Sequence, residues 1–507
     1  MAWRTEKEAN GDTAIVIDGW DKGTAPDPYT GTGRMIQVDL TVPGEVSAGY
    51  PITANATSGA TLAVPIADSV RFFAYTTPGV PTGSPQSFAI LDDGGHVFES
   101  TSITGTYAFL ATANSTTNSS NLDGIAYWLG YLFKTRGTAV DYWNGSTWAT
   151  FNFDGLSLTG SVKHFMYVAT DNVLYITNGN YLASVTAPTP ASFDPANAAT
   201  YVGSVTKLQL PVIDTAISLA EVGSGSSAQS TLLIGGQLNQ IYPWDKISSS
   251  FGLPINVGDS YIKNMISVNQ NVFIFPGNVS GRGRIYITNG AQAEEYFKIP
   301  DYIFGVQDPY YEWGDAIFHR NNLIFGFFIN NNSGTVQSSS EVWAIDLTTK
   351  AFRSISSISS PATGKASAKC LISTFNLSSP GFGYIVAWDD NATAPGIGYS
   401  GTAAGTGSYG IITEQIPVGT FLEKKTFSQV EFKLRTPLAS GESIQLIPII
   451  DGTAGTSLGT TTFAGSGAVM SDAYPTTFEK AQWLAIQIAA TGANTSSGVR
   501  LKEIRIR

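Results

Sequence analysis

The side chains of this chain best suited to acid–base or metal chemistry are three histidines, His96, His164 and His319, and a scatter of carboxylates. The histidines lie in three separate repeats, and no two of them are spaced as a metal pair. They are read as structural or surface groups. A glycosidase needs two carboxyl groups about 5–9.5 Å apart. Asp154, Asp245, Asp301, Glu312, Asp315, Asp389 and Asp390 stand near strand ends or in loops, and nothing in their spacing pairs them. Asp389-Asp390-Asn391 offers oxygens to Ca²⁺ but lacks the alternating ligands of a dedicated loop, so a solvated turn is expected there. No Gly-x-Ser-x-Gly elbow precedes a helix, and neither a phosphate-cradling Gly-rich loop nor a dinucleotide fingerprint occurs. Gly281-Arg282-Gly283 is turn chemistry. Tyr142-Trp143, Trp148, Tyr310-Tyr311 and Trp313 have the faces to stack on sugars, yet at strand positions aromatic side chains serve packing first. The expectation is no catalytic, cofactor-binding or metal-binding residue, no cofactor, and no enzyme.

The elements that would have to position any such group are short strands in a repeating phrase. Asn172-Val-Leu-Tyr-Ile-Thr-Asn-Gly179, Asn271-Val-Phe-Ile-Phe275 leading to Arg284-Ile-Tyr-Ile-Thr-Asn-Gly290, and Asn321-Asn-Leu-Ile-Phe325 leading to Glu341-Val-Trp-Ala-Ile-Asp346 are variants of one unit. Self-similarity at intervals of about 40–60 residues, all strand and turn, marks a β-propeller. Early strands are expected at 61–67, 69–77, 87–91, 96–100 and 106–112. Inner strands are expected to start near Tyr131, Asn172, Thr231, Asn271, Asn322 and Phe382, for six or seven blades. Asn144-Gly145 predicts a tight hairpin with both residues at positive φ. The Ser-x-Asp-x-Gly-x-x-Trp turn of sialidase-like propellers is absent.

Two flanking segments depart from this rhythm. Residues 1–59 are dense in Pro and Gly, which break continuous ladders, and predict an extended arm with one short strand near 35–41, anchored by Trp20, Tyr29, Met35 and Leu40. Residues 416–507 alternate apolar and polar, most clearly over Lys425–Arg435, and predict a β-sandwich with strands at 443–450, 459–463, 483–489 and 499–506. The fold class expected is all-β: a six- to seven-bladed β-propeller over 60–415 between the arm and the sandwich.

Composition narrows function. Charged residues are 13% of the 507 positions, and 39 acidic against 28 basic side chains give a formal charge of −11. Lys and Arg do not cluster, so the phosphate-neutralising footprint of a nucleic-acid binder is missing. Cys370 is the sole cysteine, which precludes an intrachain disulfide and suits a reducing compartment. No apolar run approaches the ~20 residues of a membrane helix, and the first ten residues lack the apolar core of a secretory signal. The expectation is cytoplasmic folding without membrane insertion.

Gly19-Trp-Asp-Lys-Gly23, Asp27-Pro-Tyr-Thr-Gly31, Met35-Ile-Gln-Val-Asp39 and Pro43-Gly44 resemble the lead-in of β-propeller tail proteins of tailed bacteriophages, and the blade phrases and the closing Lys502-Glu-Ile-Arg-Ile506 are similar too. The resemblance implies a structural virion protein: a tail nozzle or hub, assembled in the bacterial host cytoplasm as a homo-oligomer, six-fold by expectation. Adaptor, portal and tail fibre proteins would be its partners, and DNA would pass through without specific binding. The long insertion of larger nozzles, which gates their channel, has no counterpart here. Two other readings stay open: a carbohydrate-active propeller, glycosidase or depolymerase, and a receptor-binding module engaging through 416–507.

Overall fold

The computed structural model describes residues 3–8, 13–18, 20, 34–36, 38–39, 47–49, 52–62, 66–77, 80–92, 94–110, 124–152, 157–159, 162, 164–223, 230–258, 261–277, 283–299, 310–330, 336–337, 341–358, 366–374, 383–390, 395–400, 408–413, 416–418, 425–451, 453–463, 469–481, 483–492 and 499–507. Among them, seven sheets of four or five strands follow one another along the chain, antiparallel except where Thr57–Ser58 pairs parallel with Tyr107–Phe109 in the first. Their first strands, Ile66–Thr77, Ile125–Trp128, Met166–Val168, Ala216–Val222, Ile262–Val268, Tyr310–His319 and Ala366–Ser373, each neighbour the next, and the last returns to the first. That closed circuit is a seven-bladed β-propeller, and the chain is all-β as its composition demanded.

Each junction between blades is filled by its own apolar layer. Consecutive residues of a strand point to opposite faces, so a blade's second strand feeds two layers at once. Phe133 packs toward the third blade with Leu174 and Ile176, while its neighbour Leu132 packs toward the first with Leu91 and Trp148. Phe273 and Phe275 join Trp313, Phe325 and Trp343 between the fifth and sixth blades, and Ile274 faces the fourth. Trp143 and Trp148 are buried as packing residues, as their strand positions suggested.

The repeated phrase is therefore the second strand of a blade, joined by the third where it runs on to Arg284–Thr288 and Glu341–Asp346. Tyr131–Arg136, Leu174–Asn178, Thr231–Gly236, Asn271–Pro276, Asn322–Asn330 and Tyr384–Asp390 lie one strand outward from the axis, a correction to their expected inner position. Sandwiched between neighbours on both faces, they are the most continuously apolar segments. The true inner strands face the axis; the first, Ile66–Thr77, overlaps the strand expected at 69–77, while short ones such as Met166–Val168 show neither a long apolar run nor an alternation. Two of the asparagines opening the phrase sit in the turn before it: Asn172 and Asn321 have φ of 62° and 63°, the left-handed region asparagine tolerates, whereas Asn271 is the first residue of its strand. The Asn144-Gly145 turn holds four residues between Trp143 and Trp148, which pair across it. Gly145 alone of the two has positive φ, at 96°, because the Asn144 side chain closes the turn by accepting from Ser146 N at 2.9 Å and Thr147 N at 2.8 Å.

The arm expected at 1–59 is divided among other sheets. Trp3–Lys7 and Thr13–Ile17 extend a sheet completed by Leu501–Ile506, Lys425–Leu434 and Ser471–Ala481. Arg34–Ile36 joins a second sheet through Tyr409–Ile412, next to Trp483–Thr491 and Ser443–Ile450. The two sheets enclose one core containing Trp20, Val430, Phe432, Leu446, Ile486 and Ile504. This sandwich is assembled from both ends of the described chain, and the propeller is inserted within it. Boundaries at 59/60 and 415/416 thus cut across real sheets. The alternating strands of the C-terminal region were legible because one face of each is buried; the strand expected near 35–41 corresponds to Arg34–Ile36 and Val38–Asp39, and the hairpin of Trp3–Lys7 and Thr13–Ile17 escaped notice because the sheet it joins is completed hundreds of residues away. Ile52–Ala54 pairs with Gly396–Ser400 as the outer strand of the seventh blade, closing the ring. Tyr29 and most of the Pro/Gly lead-in lie outside the described residues.

Candidate functional site

The inner strands surround an axial cavity of about 430 Å³. Its wall is built by a recurring irregularity. In five blades the pairing of the first strand with the second slips near its start, between Ile66 and Asp68, Ala216 and Ser218, Ile262 and Asn264, Trp313 and Ala316, and Ala368 and Cys370. A β-bulge adds a residue to one strand and re-aims its side chains. Here it brings Asp68, Ser218, Asn264, Asp315 and Cys370 to the cavity, with Lys263 and Lys369 beside them.

These polar groups link one blade to the next. Asp68 accepts from its own neighbour Ser69 N at 2.8 Å and from Ile125 N of the second blade at 2.9 Å. Ser218 Oγ donates to Ile262 O of the fifth blade at 3.2 Å. Asn264 Nδ2 donates to Asp315 Oδ1 at 3.0 Å, and Asp315 Oδ2 accepts from Leu371 N of the seventh blade at 3.1 Å. Asp389 Oδ1 returns the circuit to the first blade by accepting from Ile66 N at 2.9 Å. Bulges free backbone N–H groups from the ladder, and an unpaired buried N–H is costly; a short acceptor side chain at the bulge answers that need.

Burial pushes the Asp68 carboxyl up to about 7, against two backbone donors, and the Asp315 charge adds to the rise. Asp315 is pushed up to about 6, again by burial, with Leu371 N, Ala316 N and Asn264 pulling it down. Burial raises the Cys370 thiol as well. Chemically, the cavity presents two carboxyl groups capable of holding a proton near neutrality, one aromatic face at Trp313 and two lysines, of which Lys369 Nζ lies 4.0 Å from Asp389 Oδ2.

Of the candidate site residues singled out from sequence, Asp315 and Trp313 line this cavity, while Asp389 stands behind its wall. Asp389 is 7% exposed, so the solvated turn expected there is corrected to a buried acceptor between blades. Asp245 lies elsewhere, in a turn where it accepts from Ile247 N and Ser248 N. The histidines are not brought together. His96 Nδ1 lies 3.0 Å from Asp92; His164 contacts the carbonyls of Thr177 and Thr159, with burial lowering its pKa; His319 lies 3.1 Å from Ser373 Oγ and is pushed down to about 4 by burial and Arg320. Asp154 and Asp301 lie outside the described residues, as do the side chains of Tyr310, Tyr311, Glu312 and Asp390. Asp68 was missed; its signal is the alignment of Asp68-Ser69 with Asp315-Ala316 at the start of two inner strands. Among the described residues no group of three or more His, Cys, Asp or Glu side chains is placed to hold a metal, and no helix is long and apolar enough to cross a membrane.

No family model matches the chain, and no curated protein sequence matches it. Among solved structures, it is similar to the β-propeller domain of Cps50 (Swd1) from Myceliophteria thermophila, at 11% identity over 62% of this chain and 93% of that one, with a TM-score of 0.41. A chain of a mitotic checkpoint complex matches at 13% identity over 72% and 98%, TM-score 0.44. An exo-β-1,3-galactanase from Phanerochaete chrysosporium matches at 12% identity over 90% and 99%, TM-score 0.29. At such values no function transfers from any of them, and the fold assignment rests on the strand order described above.

Proposed function

We propose that this chain is a structural ring subunit in the tail of a tailed bacteriophage, a nozzle or hub below the portal and adaptor through whose centre the genome leaves. The observation that carries the non-catalytic part of this reading is the use of the axial carboxylates. Asp68 and Asp315, the acids best placed for hydrolysis, both accept backbone N–H groups of the adjoining blade. Groups so engaged serve cohesion of the ring of blades. The lead-in resemblance supports the tail assignment, and the net charge of −11 with unclustered cations suits a passage that DNA crosses without adhering. Electron microscopy of the purified protein and of virions tests it: rings of several copies with a central opening are expected in both, and a monomer absent from particles removes the reading.

A carbohydrate-active propeller is the second reading, favoured by one observation: two carboxyl groups with raised pKa share a cavity with Trp313. Hydrolysis of host polysaccharide that is lost on Asp68→Asn or Asp315→Asn supports it; no hydrolysis, or hydrolysis indifferent to both changes, removes it.

A further inference from the structure

Large apolar side chains that stand in solvent are few among the described residues, and they are unevenly placed. Six of the nine fall between Val202 and Leu253, on the fourth blade and the outer strand of the third. Four are almost bare: Val212 is 79% exposed, Ile213 81%, Ile247 87% and Leu253 90%.

The two loops that carry them are held by polar supports. Val212 and Ile213 are the corners of a turn closed by Asp214 N to Pro211 O at 2.9 Å. Turn corners ordinarily hold Gly, Asn, Asp or Pro, so two β-branched residues there are poor turn formers. Asp214, 1% exposed, fixes the turn in place. One of its oxygens accepts from Thr215 N and Leu238 N, the other from Tyr242 OH at 2.6 Å. At the far end of Gln240–Trp244, Asp245 closes the second turn and leaves Ile247 pointing outward.

Charge decides what such a surface suits. From Leu208 to Gly258 the ionisable acids and bases are Asp214, Glu221, Asp245 and Lys246. Asp214 and Glu221 are buried, and Lys246 folds back onto Glu221 at 2.7 Å with 6% of its side chain exposed. That leaves the Asp245 carboxylate exposed in this stretch, with Lys207 exposed on the neighbouring outer strand of the third blade and Asp171 partly exposed beside Lys246. On a chain of net charge −11, any two copies repel unless they meet where charge is scarce. A polyanion would find one exposed cation here, Lys207, and a basic partner only Asp245 and the partly covered Asp171, too few for either to dock by charge.

We propose that the outer rim of the fourth blade is the surface through which one copy of this chain docks on the next. The proposal rests on the ring reading above and gives it a location. Ring closure makes the contact heterologous, this rim against a different face of the neighbour.

The experiment compares the full chain with Ile213→Glu/Leu253→Glu by analytical ultracentrifugation over a range of protein and salt concentrations. Thr453→Glu, at an exposed position of the sandwich, is the control. Both altered side chains are more than four-fifths exposed, so unchanged thermal melting is expected in each variant. The wild type and the control should form the same oligomer, and added salt should strengthen it by screening like charge. The double variant should associate at least about thirtyfold more weakly. A double variant that assembles like the wild type overturns the docking surface and leaves the ring standing. A wild type that stays monomeric overturns both.

Discussion

Thr53 sits opposite Tyr399 in the antiparallel ladder that completes the seventh blade. A strand that precedes the first blade thus becomes the outer strand of the last, and the ring cannot open without breaking that pairing. The fit is close. A side chain on Gly398 would meet Thr53 O at 2.7 Å and Ile52 Cγ2 at 2.9 Å. Gly398→Val is expected to cost about 1–3 kcal/mol by overpacking and to release 52–54 first. Thermal melting, with protease cleavage near residue 50 as the local readout, checks this; a variant as stable and as resistant as the wild type refutes the closure's role.

The axial carboxyls predict a pH dependence of defined sign. In the unfolded chain Asp68 and Asp315 have pKa 3.8, and in the fold about 7 and about 6. Between these values the folded state binds more protons, so the stability they contribute is full below about pH 4 and is lost as pH rises through 6 to 7. His319 runs the other way: with 6.5 unfolded and about 4 folded, its contribution is lost as pH falls from 6.5. Asp68→Asn/Asp315→Asn removes the first slope and keeps the second. The wild type's advantage in Tm over this variant should therefore be larger at pH 4.5 than at pH 8, by circular dichroism. An advantage independent of pH means that neither carboxyl titrates in this window.

How much of this was legible beforehand follows from burial. A second strand such as Leu174–Asn178, buried along its whole length, announces itself as an apolar run, and Lys425–Leu434, buried on one face, as an alternation. Inner strands such as Met166–Val168 are half-buried throughout and lack either period. The axial site was invisible for a related reason. Asp68 and Asp315 are far apart in the chain and converge only when the ring closes, and no local spacing encodes that meeting. Trp20 was legible as an anchor because a solvated leader has no use for an indole, but what it anchors to was not.

Glu221 and Lys246 form a buried pair at one end of the fourth blade. Lys246 Nζ is 2.7 Å from Glu221 Oε1 and 2.7 Å from Ser230 Oγ, and Thr170 N of the third blade donates to Glu221 Oε2 at 2.8 Å. Removing one partner strands the other charge. Lys246→Ala is expected to lower stability by about 3–5 kcal/mol, whereas Glu221→Gln/Lys246→Met, which removes both charges, should cost much less. Urea denaturation of the two variants decides; equal losses would mean that the pair contributes by shape alone.

The sandwich makes the last prediction, because it converts the expected arm into an internal fastener. Trp20 is fully buried, and its indole N–H donates to Lys502 O at 2.9 Å. Ile17 pairs with Ile504, while Arg505 and Arg507 reach Glu8 at 3.3 and 2.7 Å. Without the first twenty residues, Leu501–Ile506 would lose its partner on one side and its apolar cover. Trp20→Ala is expected to cost about 3–5 kcal/mol and to unfold the sandwich before the propeller. Hydrogen exchange should then show lost protection at 430–434 and 501–506 with the blades unchanged. A Glu8→Gln change, which touches only partly exposed ion pairs, should leave the melting temperature and the protection of these strands nearly unchanged. Protection lost equally in the blades and the sandwich would mean that the two unfold as one unit, and that the N-terminal strands fasten the whole molecule.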